Sequence, residues 1–182
     1  MYRTILPLAR IGRTGHCTAM FPDDLLHSAR LLLAEAEDRR LKIATAESCT
    51  GGLVAALLTE IAGSSAVFER GFVTYSNRAK EELLGVPGDL IADVGAVSEA
   101  VARTMAEGAL REAHANIAVS ITGVAGPGGG TAFKPVGLVH LAAARENRAL
   151  VHETLRLGDI GRSAIRMAAV AKAIELLRRM VA

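Results

Sequence analysis

Residues 41–58 read LKIATAESCTGGLVAALL, and this stretch decides the fold. Its apolar start, up to Ala46, is typical of a buried strand, and its Leu- and Ala-rich end, from Leu53, favours a helix. The polar and glycine residues between them predict a sharp turn from strand to helix. Such a turn exposes its side chains at a cleft and aims the first N–H groups of the helix at whatever binds there.

The rest of the chain alternates between helical and strand-like patterns. Helices are predicted near residues 23–40, 51–62, 78–84, 98–113 and 163–180, and strands near residues 42–46, 67–75, 117–121, 136–144 and 150–157. The last two strands are consecutive and should be antiparallel. The 182 residues therefore predict a single three-layer α/β/α domain with a mixed central sheet.

The composition excludes several classes of protein. The formal net charge of +2 is too small to suggest binding to nucleic acid or to an anionic membrane. No apolar run approaches the roughly 20 residues that span a bilayer. Cys17 and Cys49 belong to no C-x-x-C motif or Cys/His cluster, so we expect no disulfide and no metal site. A reducing, cytoplasmic compartment fits this pattern.

The N-terminal residues 1–20 differ from the rest of the chain. They contain Arg3, Arg10 and Arg13 but no acidic residue, a composition that resembles a transit peptide. We favour a simpler interpretation, in which they form a disordered extension or follow a start codon upstream of the true one at Met20. The folded domain is then expected over residues 21–182.

Two neighbouring residues of the turn are candidate nucleophiles. Ser48 could attack a substrate, but serine is also a favoured helix N-cap, and the sequence leaves both roles open. Cys49 is the rival, because a thiol is intrinsically more nucleophilic and a helix start lowers its pKa. Only one of these two neighbours can face the cleft.

A serine nucleophile needs a base, and histidine has no local support. The histidines are His16, His27, His114, His140 and His152. None of them adjoins a glycine-rich turn. Lys80, just beyond a predicted strand-to-helix junction, is the alternative base if burial lowers its pKa. The alternative is that Lys80 is an ordinary solvated lysine on the surface.

A second glycine-rich stretch, residues 122–130, also follows an apolar strand. Because ligands of such sheets bind at the carboxyl ends of the strands, we expect it to share one cleft with residues 47–52. Arg162 and Arg166 lie one helical turn apart and could hold a phosphate or carboxylate, or could be ordinary surface charges.

Several motifs occur together and in order. They are TAESCTGG at residues 45–52, VTYSN at 73–77 followed by Lys80, GAVSE at 95–99, ITGVAGP at 121–127 and KPVG at 134–137. In these motifs the chain strongly resembles the CinA C-terminal domain family, whose characterised enzymes are nicotinamide-nucleotide amidohydrolases. The resemblance covers about residues 24–182, and the length is that expected of a stand-alone member.

The resemblance implies a Ser/Lys amidohydrolase that needs no metal and no cofactor. Ser48 matches the family's nucleophile, Lys80 its general base, Tyr75 an assisting tyrosine and Thr122 a polar residue of the active site. The implied reaction converts nicotinamide mononucleotide and water to nicotinate mononucleotide and ammonia. The family commonly forms homo-oligomers, which makes a homo-oligomer the expected state.

The substrate contacts are expected around the two glycine-rich turns. Backbone N–H groups near Thr50, Gly51 and Gly52 would hold the oxyanion. Glu47 and Gly123 are further expected substrate contacts. The second glycine-rich loop and Arg162 would hold the ribose phosphate. Two other functions stay open: a non-catalytic nucleotide-binding or regulatory module linked to competence or DNA damage, and a hydrolase of another small amide.

Overall fold

The computed structural model describes residues 20–182, so the expectation of an N-terminal extension lies outside the described residues apart from Met20. The elements in chain order are α1 (Asp23–Asp38), β1 (Ile43–Glu47), α2 (Leu53–Thr59), β2 (Phe68–Val73), α3 (Asn77–Leu84), α4 (Gly88–Val94), α5 (Glu99–Ala113), β3 (Ile117–Gly123), β4 (Leu138–Arg145), β5 (Val151–Arg156) and α6 (Arg162–Val181). A short 3₁₀ turn, Ser64–Ala66, precedes β2.

The strands form one open sheet in the order β2-β1-β3-β4-β5. β1 is parallel to both β2 and β3, whereas β4 is antiparallel to β3 and to β5. The predicted mixed sheet, including its antiparallel final pair, is therefore confirmed. The carboxyl ends of β1, β2 and β3 meet at one edge of the sheet.

Helices cover both faces of the sheet, which confirms the three-layer arrangement. Alternate residues of the central strands, such as Ile43 and Val119, are completely buried against α1, α2 and α6. The opposite face carries smaller residues, such as Ala44 and Ala118, and packs against α3, α4 and α5. Small side chains on this face allow α5 to lie close to the sheet.

Helix α4 was not predicted, because Pro87-Gly88 reads as a turn. In the structure Pro87 is the N-cap of the helix, a position where proline's missing N–H costs nothing, and Ile91 is buried. Helix α2 is shorter than the predicted 51–62. Gly51 and Gly52 adopt φ values of +60° and +94°, so they belong to the turn and not to the helix.

Within residues 20–182, no helix combines the length and the apolar composition that crossing a membrane requires.

Candidate active site

The site is built where the three parallel strands end. Beyond β1, the Ser48 N–H donates to the carbonyl of Ile121 in β3 at 3.0 Å. Beyond β2, the Thr74 N–H donates to the carbonyl of Glu47 at 2.8 Å. These two hydrogen bonds continue the parallel ladders by one residue. They fix Ser48 between the ends of the neighbouring strands.

Glu47 holds the turn that follows. Its buried carboxylate accepts hydrogen bonds from the N–H groups of Gly52 at 3.0 Å, Val54 at 3.1 Å and Ala55 at 2.9 Å. A carboxylate in this position satisfies the otherwise unpaired donors at the start of α2 and complements the helix dipole. Ser48 does not cap the helix, so that interpretation of the serine is wrong, and its hydroxyl is left for another role.

The Ser48 hydroxyl lies beside a buried amine. Lys80 Nζ, on α3, is 3.2 Å from Ser48 Oγ and donates to the carbonyl of Thr74 at 2.9 Å. The lysine is only 1% exposed, which rules out the surface interpretation. Burial disfavours the ammonium form and lowers the pKa of Lys80 below its usual value. A neutral amine at this distance can accept the serine proton.

Cys49 lacks the properties of a nucleophile. Its side chain is buried, and burial raises the pKa of the thiol to about 11. The helix-start effect that favoured a low thiol pKa is outweighed by this loss of solvation. The thiol is therefore protonated at neutral pH, which leaves Ser48 as the candidate nucleophile of the turn.

Two N–H groups of the turn, those of Cys49 and Thr50, donate to no backbone carbonyl among the described residues. The Gly51 N–H donates to the carbonyl of Ser48 at 3.0 Å, and the Gly52 N–H donates to Glu47. This corrects the expectation that the N–H groups of Gly51 and Gly52 hold an oxyanion. The Cys49 N–H, next to the serine and at the cleft, is the best-placed donor.

A cleft of about 290 Å³ opens in front of the Ser48 hydroxyl. The residues that line it are Ser48, Cys49, Tyr75, Asn77, Lys80, Ala96, Val97, Thr122, Gly123, Val124, Ala125, Gly126, Gly128, Gly129 and Arg162. The two glycine-rich turns therefore border one cleft, as predicted from their places after parallel strands. Among the described residues that line the cleft there is no carboxylate.

Thr122 and Tyr75 both line this cleft, but their hydroxyl groups make different contacts. The Thr122 hydroxyl donates to the carbonyl of Ala96 at 2.8 Å, which joins β3 to the segment before α5. Tyr75 is 62% exposed, and its hydroxyl lies 3.4 Å from Arg162 Nη2. Tyr75 thus stands at the cleft mouth, and its backbone carbonyl lies 3.5 Å from Lys80 Nζ.

The two arginines of α6 do not act as a pair. Arg162 reaches the cleft and donates to the carbonyl of Gly126 at 2.8 Å. Arg166 instead donates from Nε to the carbonyl of Cys49 at 3.1 Å and from Nη2 to that of Thr50 at 2.7 Å. Neither arginine forms a salt bridge with a carboxylate of the described residues.

Four of the predicted contact residues do not line the cleft: Glu47, Thr50, Gly51 and Gly52. Glu47 and Thr50 are completely buried and belong to the support of the turn. Conversely, sequence patterns gave no indication of the carbonyls of Thr74 and Ala96 or of the contacts of Arg166. Backbone carbonyls carry no side-chain signature, and the Arg166 contacts bridge residues more than a hundred positions apart.

The described histidines lie away from the cleft lining. His140 and His152 stack on each other, with Nδ1 and Nε2 3.1 Å apart, and His152 Nδ1 lies 3.4 Å from Glu99. Loss of solvation and mutual repulsion lower the pKa of His140. In residues 20–182, no group of three or more His, Cys, Asp or Glu side chains is placed to hold a metal ion.

Known proteins resemble this chain in sequence and in fold. Residues 26–181 match the sequence model of the CinA C-terminal domain. A CinA-like protein of Mycobacterium sp. (strain JLS) is 50% identical over 182 residues, which is 98% of this chain and 41% of the relative. The chain therefore spans less than half the length of that relative.

Two solved structures show the same fold. The competence/damage inducible protein CihA from Agrobacterium tumefaciens has 52% identity and a TM-score of 0.88, covering 90% of this chain and 99% of its own. A CinA superfamily protein from Escherichia coli has 29% identity and a TM-score of 0.82, covering 89% and 94%. The chain belongs to the CinA C-terminal domain family.

Proposed function

We propose that this chain is an amidohydrolase that converts nicotinamide mononucleotide and water to nicotinate mononucleotide and ammonia. The observation that carries the proposal is the buried Lys80 amine 3.2 Å from the Ser48 hydroxyl. A serine becomes nucleophilic only when an adjacent group takes its proton, and a lysine with a lowered pKa can do so.

The reaction proceeds in two halves. Ser48 Oγ attacks the carboxamide carbon while Lys80 takes the hydroxyl proton, and the carbonyl oxygen becomes an oxyanion. Lys80 then gives that proton to the amide nitrogen, the C–N bond breaks, and ammonia leaves an acyl ester on Ser48. Water attacks the ester, Lys80 takes a proton from it and returns that proton to the serine, and the carboxylic acid is released.

The oxyanion needs a donor beside the serine. The Cys49 N–H donates to no backbone carbonyl among the described residues and belongs to the residue after the proposed nucleophile, the position used in strand-to-helix nucleophile turns. One such donor contributes about 3 kcal/mol to transition-state stabilisation. Thr122 and Tyr75 remain proposed members of the catalytic group, as the family resemblance implies.

The charges of the cleft favour an anionic substrate. Arg162 lies at its mouth, and no carboxylate is found among the described residues that line it. In the second glycine-rich loop, the N–H groups of Ala125, Gly126 and Gly128 have no acceptor among the described residues. Backbone N–H groups together with an arginine are a common phosphate site. We therefore place the ribose phosphate between this loop and Arg162.

An assay of purified protein with nicotinamide mononucleotide tests the proposal. We expect ammonia and nicotinate mononucleotide in equal amounts, and we expect Ser48→Ala to lose both. Ser65→Ala, which removes an exposed serine, is the matched control and should keep full activity. Product formation that survives Ser48→Ala would contradict the serine mechanism.

The names of relatives favour one further candidate. A relative from Caldicellulosiruptor bescii, 46% identical over 144 residues, is described as a putative competence-damage inducible protein. A nucleotide-binding module without catalysis would fit such a role. Calorimetry separates the two functions, because tight binding of nicotinamide mononucleotide without turnover would favour the module. Turnover of other small carboxamides, but not of this nucleotide, would indicate a hydrolase with a different substrate.

A further inference from the structure

Arg166 lies behind the turn that carries the proposed nucleophile and does not line the cleft. It extends from α6 and is half-buried. Its guanidinium donates to two successive backbone carbonyls, those of Cys49 and Thr50. The planar fork of arginine suits this two-point contact, which the single ammonium of lysine cannot reproduce.

These contacts determine which way the peptide groups of the turn face. A trans peptide group is planar, with its C=O and N–H pointing in opposite directions. With the Ser48 carbonyl held by the Gly51 N–H, the Cys49 N–H must point the other way. With the Cys49 carbonyl held by Arg166, the Thr50 N–H is likewise directed away from α6. Arg166 thus fixes the Cys49–Thr50 and Thr50–Gly51 peptide groups. They directly follow the Ser48–Cys49 peptide group, which carries the proposed oxyanion donor.

The other restraints on the turn are hydrogen bonds from the Gly52 N–H to Glu47, from the Gly51 N–H to the Ser48 carbonyl and, at 3.4 Å, from the Leu53 N–H to the Thr50 carbonyl. Gly51 and Gly52 occupy left-handed backbone conformations, and glycine offers little resistance to rotation in either direction. A turn of this kind could exchange peptide orientations unless its carbonyls are held. A hydrogen bond from a charged donor is roughly twice as strong as one between neutral groups. The arginine therefore adds rigidity directly before the two glycines, by holding the carbonyls of Cys49 and Thr50.

We infer that Arg166 is a positioning residue: it holds the Ser48 turn so that the Cys49 N–H and the serine hydroxyl face the same point in the cleft. This inference rests on the proposed function, because it assigns Arg166 a task in that same reaction. It differs from a phosphate-binding role, since both contacts of the guanidinium are made to the turn and none to the cleft.

The experiment compares Arg166→Lys and Arg166→Met with the wild type. Because a misplaced catalytic group costs up to about a hundredfold in rate, we expect kcat to fall about tenfold to a hundredfold, with KM changed by less than about threefold. Arg178→Met, which removes an arginine of the same helix bonded to Glu35, is the matched control and should keep its kcat. Loss of a phosphate contact would instead raise KM.

A second readout does not depend on the substrate. A fluorophosphonate reacts with activated serines and develops negative charge on the phosphoryl oxygen. The final extent of labelling counts folded sites, and the rate reports how well each site is arranged. We expect the Arg166 variants to reach the same final extent of labelling as the wild type, but at a labelling rate that is lower by at least about tenfold. A merely structural role would lower the extent of labelling and leave the rate per folded molecule unchanged.

The outcomes separate the inference from the proposed function. Wild-type labelling without turnover of nicotinamide mononucleotide would overturn the proposed substrate, and the labelling rates would still decide the role of Arg166. Wild-type kcat and labelling rate in Arg166→Met would overturn the positioning role alone. If the wild type neither labels at Ser48 nor turns over an amide, both are wrong. Partial recovery of Arg166→Ala by added guanidinium ion would support the inference further.

Discussion

Replacement of Glu47 by glutamine tests how the turn that carries Ser48 is held. The Glu47 carboxylate is completely buried and accepts three N–H groups, two on Oε2 from Gly52 and Val54 and one on Oε1 from Ala55. Glutamine is nearly the same size but presents one oxygen and one NH₂ group. Whichever way the amide is turned, its NH₂ must face at least one backbone N–H.

The expected cost follows from these contacts. In the better orientation the amide oxygen keeps the Gly52 and Val54 bonds, and the Ala55 N–H is left buried without an acceptor, which costs about 1–3 kcal/mol. The two bonds that remain lose their ionic character, at about 0.5–1 kcal/mol each. The sum is a loss of about 2–5 kcal/mol in the free energy of unfolding. For a chain of this size it corresponds to a fall in Tm of about 4–20 °C.

Urea denaturation followed by circular dichroism measures this quantity. Glu60→Gln is the matched control, because Glu60 follows the same helix but is exposed, and surface substitutions stay within about 0.5 kcal/mol. The control's free energy of unfolding should lie within about 0.5 kcal/mol of the wild-type value. If that of Glu47→Gln does so too, the three hydrogen bonds do not stabilise the turn and the reasoning is refuted.

Three further predictions concern the base, the packing of a helix and the anion site. The kcat/KM should rise with pH through the lowered pKa of Lys80, because only the neutral amine accepts a proton. A kcat/KM that stays constant, or that falls as the pH rises from neutral to alkaline, would contradict the assignment of Lys80 as the base. Gly108→Ala should lower the free energy of unfolding by about 2 kcal/mol or more, because its Cβ would lie 2.1 Å from the Leu84 carbonyl oxygen. In the control Gly128→Ala the new Cβ meets no atom within 4 Å, so its Tm in thermal denaturation should match that of the wild type. Arg162→Met should raise KM for nicotinamide mononucleotide about tenfold and leave KM for the nucleoside unchanged, and equal effects on both substrates in steady-state assays would exclude a phosphate contact.

Much of the fold could be predicted from periodicity and turn chemistry. Ser76 and Ser98 accept N–H groups at the starts of α3 and α5, where the sequence placed helix starts. The final antiparallel pair followed from two adjacent strand-like runs. The helix start at Pro87 was missed because a Pro-Gly pair also favours a turn, and only the burial of Ile91 distinguishes the two.

The candidate site was only partly predictable. The position of Ser48 after a strand predicts that it lies at the cleft, but the sequence does not decide whether it caps a helix or acts as a nucleophile. The N–H groups at the start of α2 are instead accepted by Glu47, whose predicted role is substrate binding. The burial of Lys80 depends on packing between α3 and the sheet, and local sequence does not reveal it. The oxyanion donor could not be assigned from glycine content, since free N–H groups are identified only when their acceptors are known.

A double-mutant cycle of ammonia release from nicotinamide mononucleotide tests the central claim, that Ser48 and Lys80 act as one unit. If the lysine works only by taking the serine proton, Ser48→Ala and Lys80→Met should each lower kcat by about a thousandfold or more, and the double variant should be no slower than the slower single variant. Lys172→Met, which removes a lysine from an exposed ion pair, should match the wild type. Losses that multiply in the double variant would show that the two residues act independently and would contradict the Ser/Lys mechanism.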